Sequence, residues 1–89
     1  MKEIDFKDKN VVITGAASGM GLLASEEFAR LGAKVIMCDI NREVLLREAS
    51  RVGGIPMCGD VREYSFAQRV ADMTGTMGGA DILAAFAGG

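Results

Sequence analysis

The chain is 89 residues long, 49% hydrophobic and 25% charged, with a formal net charge of −2. That is a globular composition at a length suited to one compact unit with a thin core. The scattered basic residues exclude a nucleic-acid footprint, and no apolar run approaches the ~20 residues of a membrane-spanning helix.

In chain order, NVVIT (10–14) is the first nearly continuous apolar run and is predicted to be a strand. It enters the glycine-rich GAASGMG (15–21), and a helix is expected over about 19–31. Met20, Ala24, Phe28 and Leu31 form the stripe of that helix, and Gly32 is placed to end it. KVIMCD (34–39) is the second strand, followed by a helix over 42–52 with Asn41 as its cap and Leu45, Ala49 and Val52 as its stripe. IPMCGD (55–60) is the third strand. The third helix, over about 63–77, is striped by Phe66, Val70, Met73 and Met77. Gly75 weakens it near its end, by ~1 kcal/mol relative to Ala. Gly78 and Gly79 then turn the chain into a fourth strand, DILAAFA (81–87).

Continuous rather than alternating apolar strands are buried on both faces, which is the habit of parallel sheets. Strands alternating with helices of this length imply right-handed crossovers. The expected fold is therefore α/β, a Rossmann-like βαβαβαβ half over residues 1–89 with parallel strands in the order 3-2-1-4. The first two helices fall on one sheet face and the third on the other. The chain reverses between strands one and four, and open α/β sheets bind ligands at such a switch point, beyond the carboxyl ends of their strands.

The start, MKEIDFKDKN, has no apolar segment of the kind a secretory signal needs. Cys38 and Cys58 are the only cysteines, there is no Cys-x-x-Cys pair, and there is no histidine. Zinc spacings are thus excluded, no metal site is expected, and a disulfide framework is disfavoured. Both cysteines sit in apolar runs and are read as small buried hydrophobes in a cytoplasmic protein.

The glycines carry the functional signal. A strand ending at Thr14, a turn containing Gly15 and Gly19, and a helix opening near Met20 and Gly21 set unpaired helix N–H groups at the sheet's binding edge. Those donors and the positive end of the helix dipole suit a phosphate. Gly15 allows the tight turn, Gly19 lets backbone approach a ligand, and Gly21 lets the helix pack against the sheet. A purely structural βα turn is the plainer alternative, and three glycines at a single junction argue against it. No Gly-Lys-Ser/Thr follows, so this is not a P-loop.

The stretch from Thr14 to Gly21, written Thr-Gly-x-x-x-Gly-x-Gly, resembles the cofactor turn of the short-chain dehydrogenase/reductase family. Further positions follow in family order: Asp39 at the end of the second strand, the pair Asp60-Val61 at the end of the third, and DILAAFAG (81–88) along the fourth. The resemblance spans residues 9 to 89. It implies a pyrophosphate side formed by Gly15, Ser18, Gly19, Met20 and Gly21, and an adenosine-ribose region at Asp39 and Ile40. Asp60 and Val61 would meet the adenine, and Ala87 and Gly88 would lie along the nicotinamide-side ribose. The cofactor implied is NAD rather than NADP, because a carboxylate at Asp39 accepts from both ribose hydroxyls and repels a 2′-phosphate. Plainer roles stay open: Asp39 as a strand-end acid turning into Asn41, Asp60 as a helper of the third helix. Arg42 is placed where it can meet a 2′-phosphate, or can be an exposed first-turn arginine.

Two departures limit the reading. Ala85 and Phe86 stand where the family has two asparagines, and neither can make those side-chain hydrogen bonds. The family's Ser and Tyr-x-x-x-Lys set is also missing. The only tyrosine is Tyr64, four residues before Gln68, and all four lysines (Lys2, Lys7, Lys9 and Lys34) come early. Tyr64 is expected to be a surface or cap residue. No catalytic residue is assigned, and the chain alone is expected to be inactive. The resemblance makes it the N-terminal, cofactor-binding part of an oxidoreductase that moves hydride between nicotinamide and a carbonyl or secondary alcohol, and a small-molecule substrate would be met only in that parent. The alternative is a non-catalytic nucleotide-binding or regulatory module. A response-regulator-like reading fails because the first strand ends in Thr14 rather than in clustered acids. The fourth strand would leave an open apolar edge, so marginal stability, self-association and a homo-oligomer are expected.

Overall fold

Each apolar run forms a strand in a computed structural model of the chain, which describes residues 5–86. The strands are β1 (Asn10–Thr14), β2 (Lys34–Asp39), β3 (Ile55–Cys58) and β4 (Ile82–Ala85). Between them run α1 (Gly19–Arg30), α2 (Arg42–Val52) and α3 (Tyr64–Thr76). All pairings are parallel, in the order β3-β2-β1-β4. The register sets Val12 beside both Ile36 and Leu83.

The two faces divide as the sequence predicts. Val11, Ile13, Val35 and Met37 pack with Phe28 of α1 and with Leu45 and Ala49 of α2. Val12, Ile36 and Cys38 meet Phe66 of α3 on the opposite face. Each such aliphatic side chain contributes about 1.5–3 kcal/mol when taken fully from water, so the two central strands hold most of the core. β3 ends at Cys58 rather than at residue 60 because its partner β2 ends at Asp39; only the Gly59 N–H still reaches across, to the Asp39 carbonyl at 3.0 Å. β4 starts one residue later than the expected 81 and its pairing stops at Ala85, opposite the end of β1 at Thr14; residue 87 lies outside the described residues.

The stripe of α1 is offset from the expected one. Gly21 and Ser25 are its buried residues, and Met20 is 67% exposed. A Cβ on Gly21 would land on the Gly15 carbonyl oxygen, so this residue must face the turn, and the 3.6-residue period then points Met20 outward. The Ser25 hydroxyl is satisfied by donating to the Gly21 carbonyl at 2.8 Å. In α2, Asn41 Oδ1 accepts from the Val44 N–H at 3.3 Å, the cap read from the sequence. α3 continues through Gly75 to Thr76. Cys38 is buried as expected, whereas Cys58, at a strand end, is only half-buried, with Sγ 3.7 Å from the Ile40 carbonyl.

At the amino end of the sheet Asn10 ties β1 to the α3–β4 turn. Its Nδ2 donates to the carbonyls of Met77 (2.7 Å) and Gly79 (2.8 Å), and its N–H donates to Asp81 Oδ2 at 2.8 Å. Among the described residues the outer edge of β4 pairs with no strand, and Leu83 on it is 69% exposed.

Candidate functional site

Because the sheet is parallel, Thr14, Asp39, Cys58 and Ala85 all finish at one edge. A cleft of about 390 Å³ opens there. Gly15, Asp39, Ile40, Asp60 and Val61 line it, so five of the residues singled out in the sequence come together. Thr14, Cys38, Gly59, Arg62 and Phe86 complete its walls. Ser18, Gly19 and Met20 are not in the cleft wall but form an exposed shoulder at the head of α1. Gly21 is buried beneath the turn, where its closeness serves the Gly15 carbonyl rather than the sheet. Ala87 and Gly88 lie outside the described residues.

The turn between β1 and α1 is held by two amides. The Ala16 N–H donates to the Cys38 carbonyl at 3.0 Å, and the Ala17 N–H donates to Asp39 Oδ2 at 3.0 Å. Gly15 has φ +67°, and a Cβ there would meet the Phe86 carbonyl at the end of β4. Any larger residue would push the turn off the neighbouring strand. Gly19 differs: its φ is +57°, yet nothing stands within 4 Å of a Cβ built on it. Its left-handed backbone needs glycine, but the space above it is open.

That open space lies over an unfinished helix end. Ser18, at the N-cap of α1, makes no side-chain capping hydrogen bond, and the first turn carries no acid. The amides of Gly19, Met20 and Gly21 precede the first intrahelical bond, from the Leu22 N–H to the Ser18 carbonyl at 3.2 Å. The result is a bare, positively polarised helix end facing the sheet's binding edge.

The carboxylates are held differently. Asp39 accepts from Ala17 N–H through one oxygen and from Asn41 N–H (3.0 Å) through the other, which ties the glycine turn to the start of α2. Both oxygens keep a lone pair each for a ligand. Asp60 is engaged by Arg62: Nε lies 3.0 and 3.1 Å from its two oxygens, Nη2 2.7 Å from Oδ2, and the Arg62 N–H 2.9 Å from Oδ1. The guanidinium, and after it the backbone N–H, holds the Asp60 carboxyl down at about 2. Beneath the cleft, burial and secondarily the Asp39 charge push the Cys38 thiol up to about 11, so it stays protonated and inert. Ile40 (67% exposed) and Val61 (40% exposed) stand as apolar posts at the mouth. Tyr64, 82% exposed at the head of α3, is the surface residue expected.

Sequence reasoning passed over Arg62 and the tie between Ala17 and Asp39. The first had a legible signal, an acid and an arginine two apart just past a strand. The second had none, because residues 22 apart are joined only by the sheet order.

An α/β sheet with a glycine turn and an acid at its switch point defines a nucleotide-binding class of fold. Within that class the chain belongs to the short-chain dehydrogenase family: the family profile described as short chain dehydrogenase matches residues 9–89. It is 38% identical over 66 residues to 1-deoxy-11-beta-hydroxypentalenate dehydrogenase of Streptomyces exfoliatus, covering 68% of this chain and 24% of that enzyme. Among solved structures it is similar to a short chain dehydrogenase/reductase from Burkholderia phymatum in complex with NAD. That match has a TM-score of 0.83 at 30% identity, over 91% of this chain and 31% of the other. A 3-ketoacyl-(acyl-carrier-protein) reductase from Brucella melitensis complexed with NADH matches with a TM-score of 0.81 at 28% identity, over 89% of this chain and 34% of that one. The chain thus spans about a quarter to a third of the length of these relatives.

Proposed function

We propose that this chain binds a nicotinamide dinucleotide, NAD in preference to NADP, and forms the cofactor-holding part of an oxidoreductase. The observation that carries the reading is the bare head of α1 under the open space above Gly19, beside the free lone pairs of Asp39. The pyrophosphate is held by the amides of Gly19, Met20 and Gly21, with Ser18 and Gly15 shaping the turn. Asp39 accepts from the adenosine-ribose hydroxyls and Ile40 lies against that ribose. Asp60 and Val61 flank the adenine, while Ala87 and Gly88 fall along the nicotinamide-side ribose. The NAD and NADH named for two of the similar structures support the cofactor class. When bound, the nicotinamide supplies hydride chemistry toward a carbonyl or secondary alcohol.

A cytoplasmic setting fits two free thiols placed toward opposite faces of the sheet. Among the described residues no helix is long and apolar enough to cross a membrane. The exposed β4 edge with Leu83 fits a homo-oligomer. A second reading, a nucleotide-binding module without catalysis, is favoured by Phe86 in the cleft wall where the family has an asparagine.

Calorimetric titration tests the binding claim. NADH should bind the full chain, and NADPH about tenfold or more weakly, since its 2′-phosphate would approach the Asp39 carboxylate. Gly19→Val, forced to φ +57° with its side chain in the phosphate's space, should cost about 1–3 kcal/mol of stability and abolish uptake per folded molecule, the folded fraction being read by circular dichroism. NADH uptake unaffected by that change would overturn the assignment.

A further inference from the structure

We infer that Asp39 acts on the phosphates as well as on the ribose. Through the Ala17 N–H its carboxylate sets the position of the glycine turn, so that its loss weakens the hold on a bare diphosphate that has no ribose to touch. This rests on the dinucleotide-binding reading above and adds a positioning role at the pyrophosphate end of the site.

The head of α1 has no fastener of its own. Ser18, its N-cap, makes no side-chain capping bond, and nothing stands within 4 Å of a Cβ built on Gly19. The amides offered to a phosphate, those of Gly19, Met20 and Gly21, are therefore placed from outside the tip of the turn. Beneath it, Gly21 packs so closely on the Gly15 carbonyl that a Cβ would overlap the oxygen. On the β2 side two consecutive amides anchor it. The Ala16 N–H donates to the Cys38 carbonyl at 3.0 Å, a backbone bond that no side-chain change removes. The Ala17 N–H donates to Asp39 Oδ2 at 3.0 Å. Ala17 is 2% exposed and directly precedes the N-cap, so its place decides where Ser18 and Gly19 lie. The carboxylate is itself held, because Oδ1 accepts from the Asn41 N–H at 3.0 Å and Asn41 Oδ1 caps α2 through the Val44 N–H. Asp39 is thus a bracket between the start of α2 and the turn.

Charge alone acts in the opposite sense. A carboxylate beside an anion site repels the anion, so its removal should tighten the hold on a diphosphate. A carboxylate that keeps the amides aimed has the reverse effect, since donors that are not placed beforehand must be ordered when the ligand binds. The two effects differ in sign, and a ligand without ribose takes direct contact with Asp39 out of the measurement.

The test is titration of the full chain with inorganic pyrophosphate, followed by the NMR signals of the Gly19, Met20 and Gly21 amides in folded molecules. In Asp39→Ala, which removes both acceptors, the dissociation constant should rise about fivefold, the equivalent of one hydrogen bond. Asp39→Asn removes the same charge but keeps one acceptor in the same shape, and should hold pyrophosphate more tightly than Asp39→Ala. A companion measurement needs no variant. Because coupling is reciprocal, saturating pyrophosphate should slow hydrogen exchange at the Ala17 amide by about fivefold more than at the Asn10 amide, at the other end of the sheet. Pyrophosphate held equally or more tightly by Asp39→Ala, or exchange at Ala17 slowed no more than at Asn10, overturns the positioning role while leaving the dinucleotide reading in place. Amides that do not move with pyrophosphate in the unaltered chain also overturn it, and failure of NADH to bind takes the dinucleotide reading with it.

Discussion

The two ends of the sheet use their polar groups in opposite ways. At the amino end Asn10 donates to two carbonyls and to Asp81, and the Asp81 N–H returns a bond to the Asn10 carbonyl at 2.8 Å. Nearly every group there is turned inward, Asn10 Oδ1 being the one buried side-chain oxygen or nitrogen among the described residues without a partner, and the knot fastens β1 to β4. At the carboxyl end the ends of β1 and β2 line a cleft with the loop after β3, α1 starts with no cap, and Asp39 keeps lone pairs free. A bare helix start alone is not the lesson, since α3 also lacks a side-chain cap. What distinguishes α1 is that its bare end adjoins a glycine turn, an open space and an acid at a strand terminus. One end of the sheet is finished by the protein, and the other is left for a ligand to finish.

The sharpest way to break this contrast is to crowd the carboxyl end. Gly21→Val would drive its side chain into the Gly15 carbonyl, a backbone group that cannot rotate away. The expected loss is about 3 kcal/mol, the upper range for overpacking, and in so thin a core it should remove the cooperative urea transition followed by circular dichroism. A variant that unfolds within about 1 kcal/mol of the parent would mean that the turn has slack not visible in its packing.

The amino end should answer differently. Asn10→Ala leaves the Met77 and Gly79 carbonyls without their donor and should cost about 2 kcal/mol, at about 1 per lost bond. In a domain this small that lowers the melting temperature by roughly 10 °C. NADH uptake per folded molecule should not change, and this separates the ends. Asn10→Asp, the same shape with acceptors facing acceptors, should be worse. Equal loss of binding in Asn10→Ala would erase the distinction.

Much of this contrast is legible in the sequence, and the parts that are not share a cause. The four strands, the three helices and their division between faces follow from apolar runs whose periods are local, as with Leu45, Ala49 and Val52. Asn41 as a cap was legible because capping acts over three residues. Met20 was misplaced because a hydrophobic stripe assumes that apolar residues choose the buried face. In α1 a glycine chooses it, since only Gly21 fits against the turn. The tie between Asp39 and Ala17, the closeness of Gly15 to Phe86 and the knot at Asn10 join residues far apart in sequence. No local period encodes them.

Asp39→Asn sharpens the carboxyl end on a finer scale. The carboxylate accepts from two amides, whereas an amide side chain offers one acceptor and turns an NH2 toward the other. The expected stability loss is about 1 kcal/mol. On the binding reading, removing the charge should also narrow the preference for NADH over NADPH by about tenfold, measured by calorimetry on both. A stability loss with the preference intact would make Asp39 a fastener of the turn only, like Asn10 at the other end.

The smallest effect at neutral pH is expected from the thiols, which sample the two sides of the carboxyl edge. Cys38 is buried under the cleft, and its thiol is raised to about 11 from a usual 9.0, mainly by burial. The folded state therefore holds that proton more tightly than the unfolded chain. The sign follows directly: the contribution to stability is complete below pH 9 and is lost as the pH climbs from 9 toward 11. Urea midpoints taken across that range should fall, and Cys38→Ala should flatten the slope while lowering the starting value by the cavity it leaves. Iodoacetamide followed by peptide mass spectrometry gives the companion measurement. At neutral pH Cys58, half-buried at the end of β3, should be labelled, and Cys38 should be spared until the protein unfolds. Prompt labelling of Cys38 in the folded chain would mean that the floor of the cleft opens, and that the carboxyl end is looser than its hydrogen bonds imply.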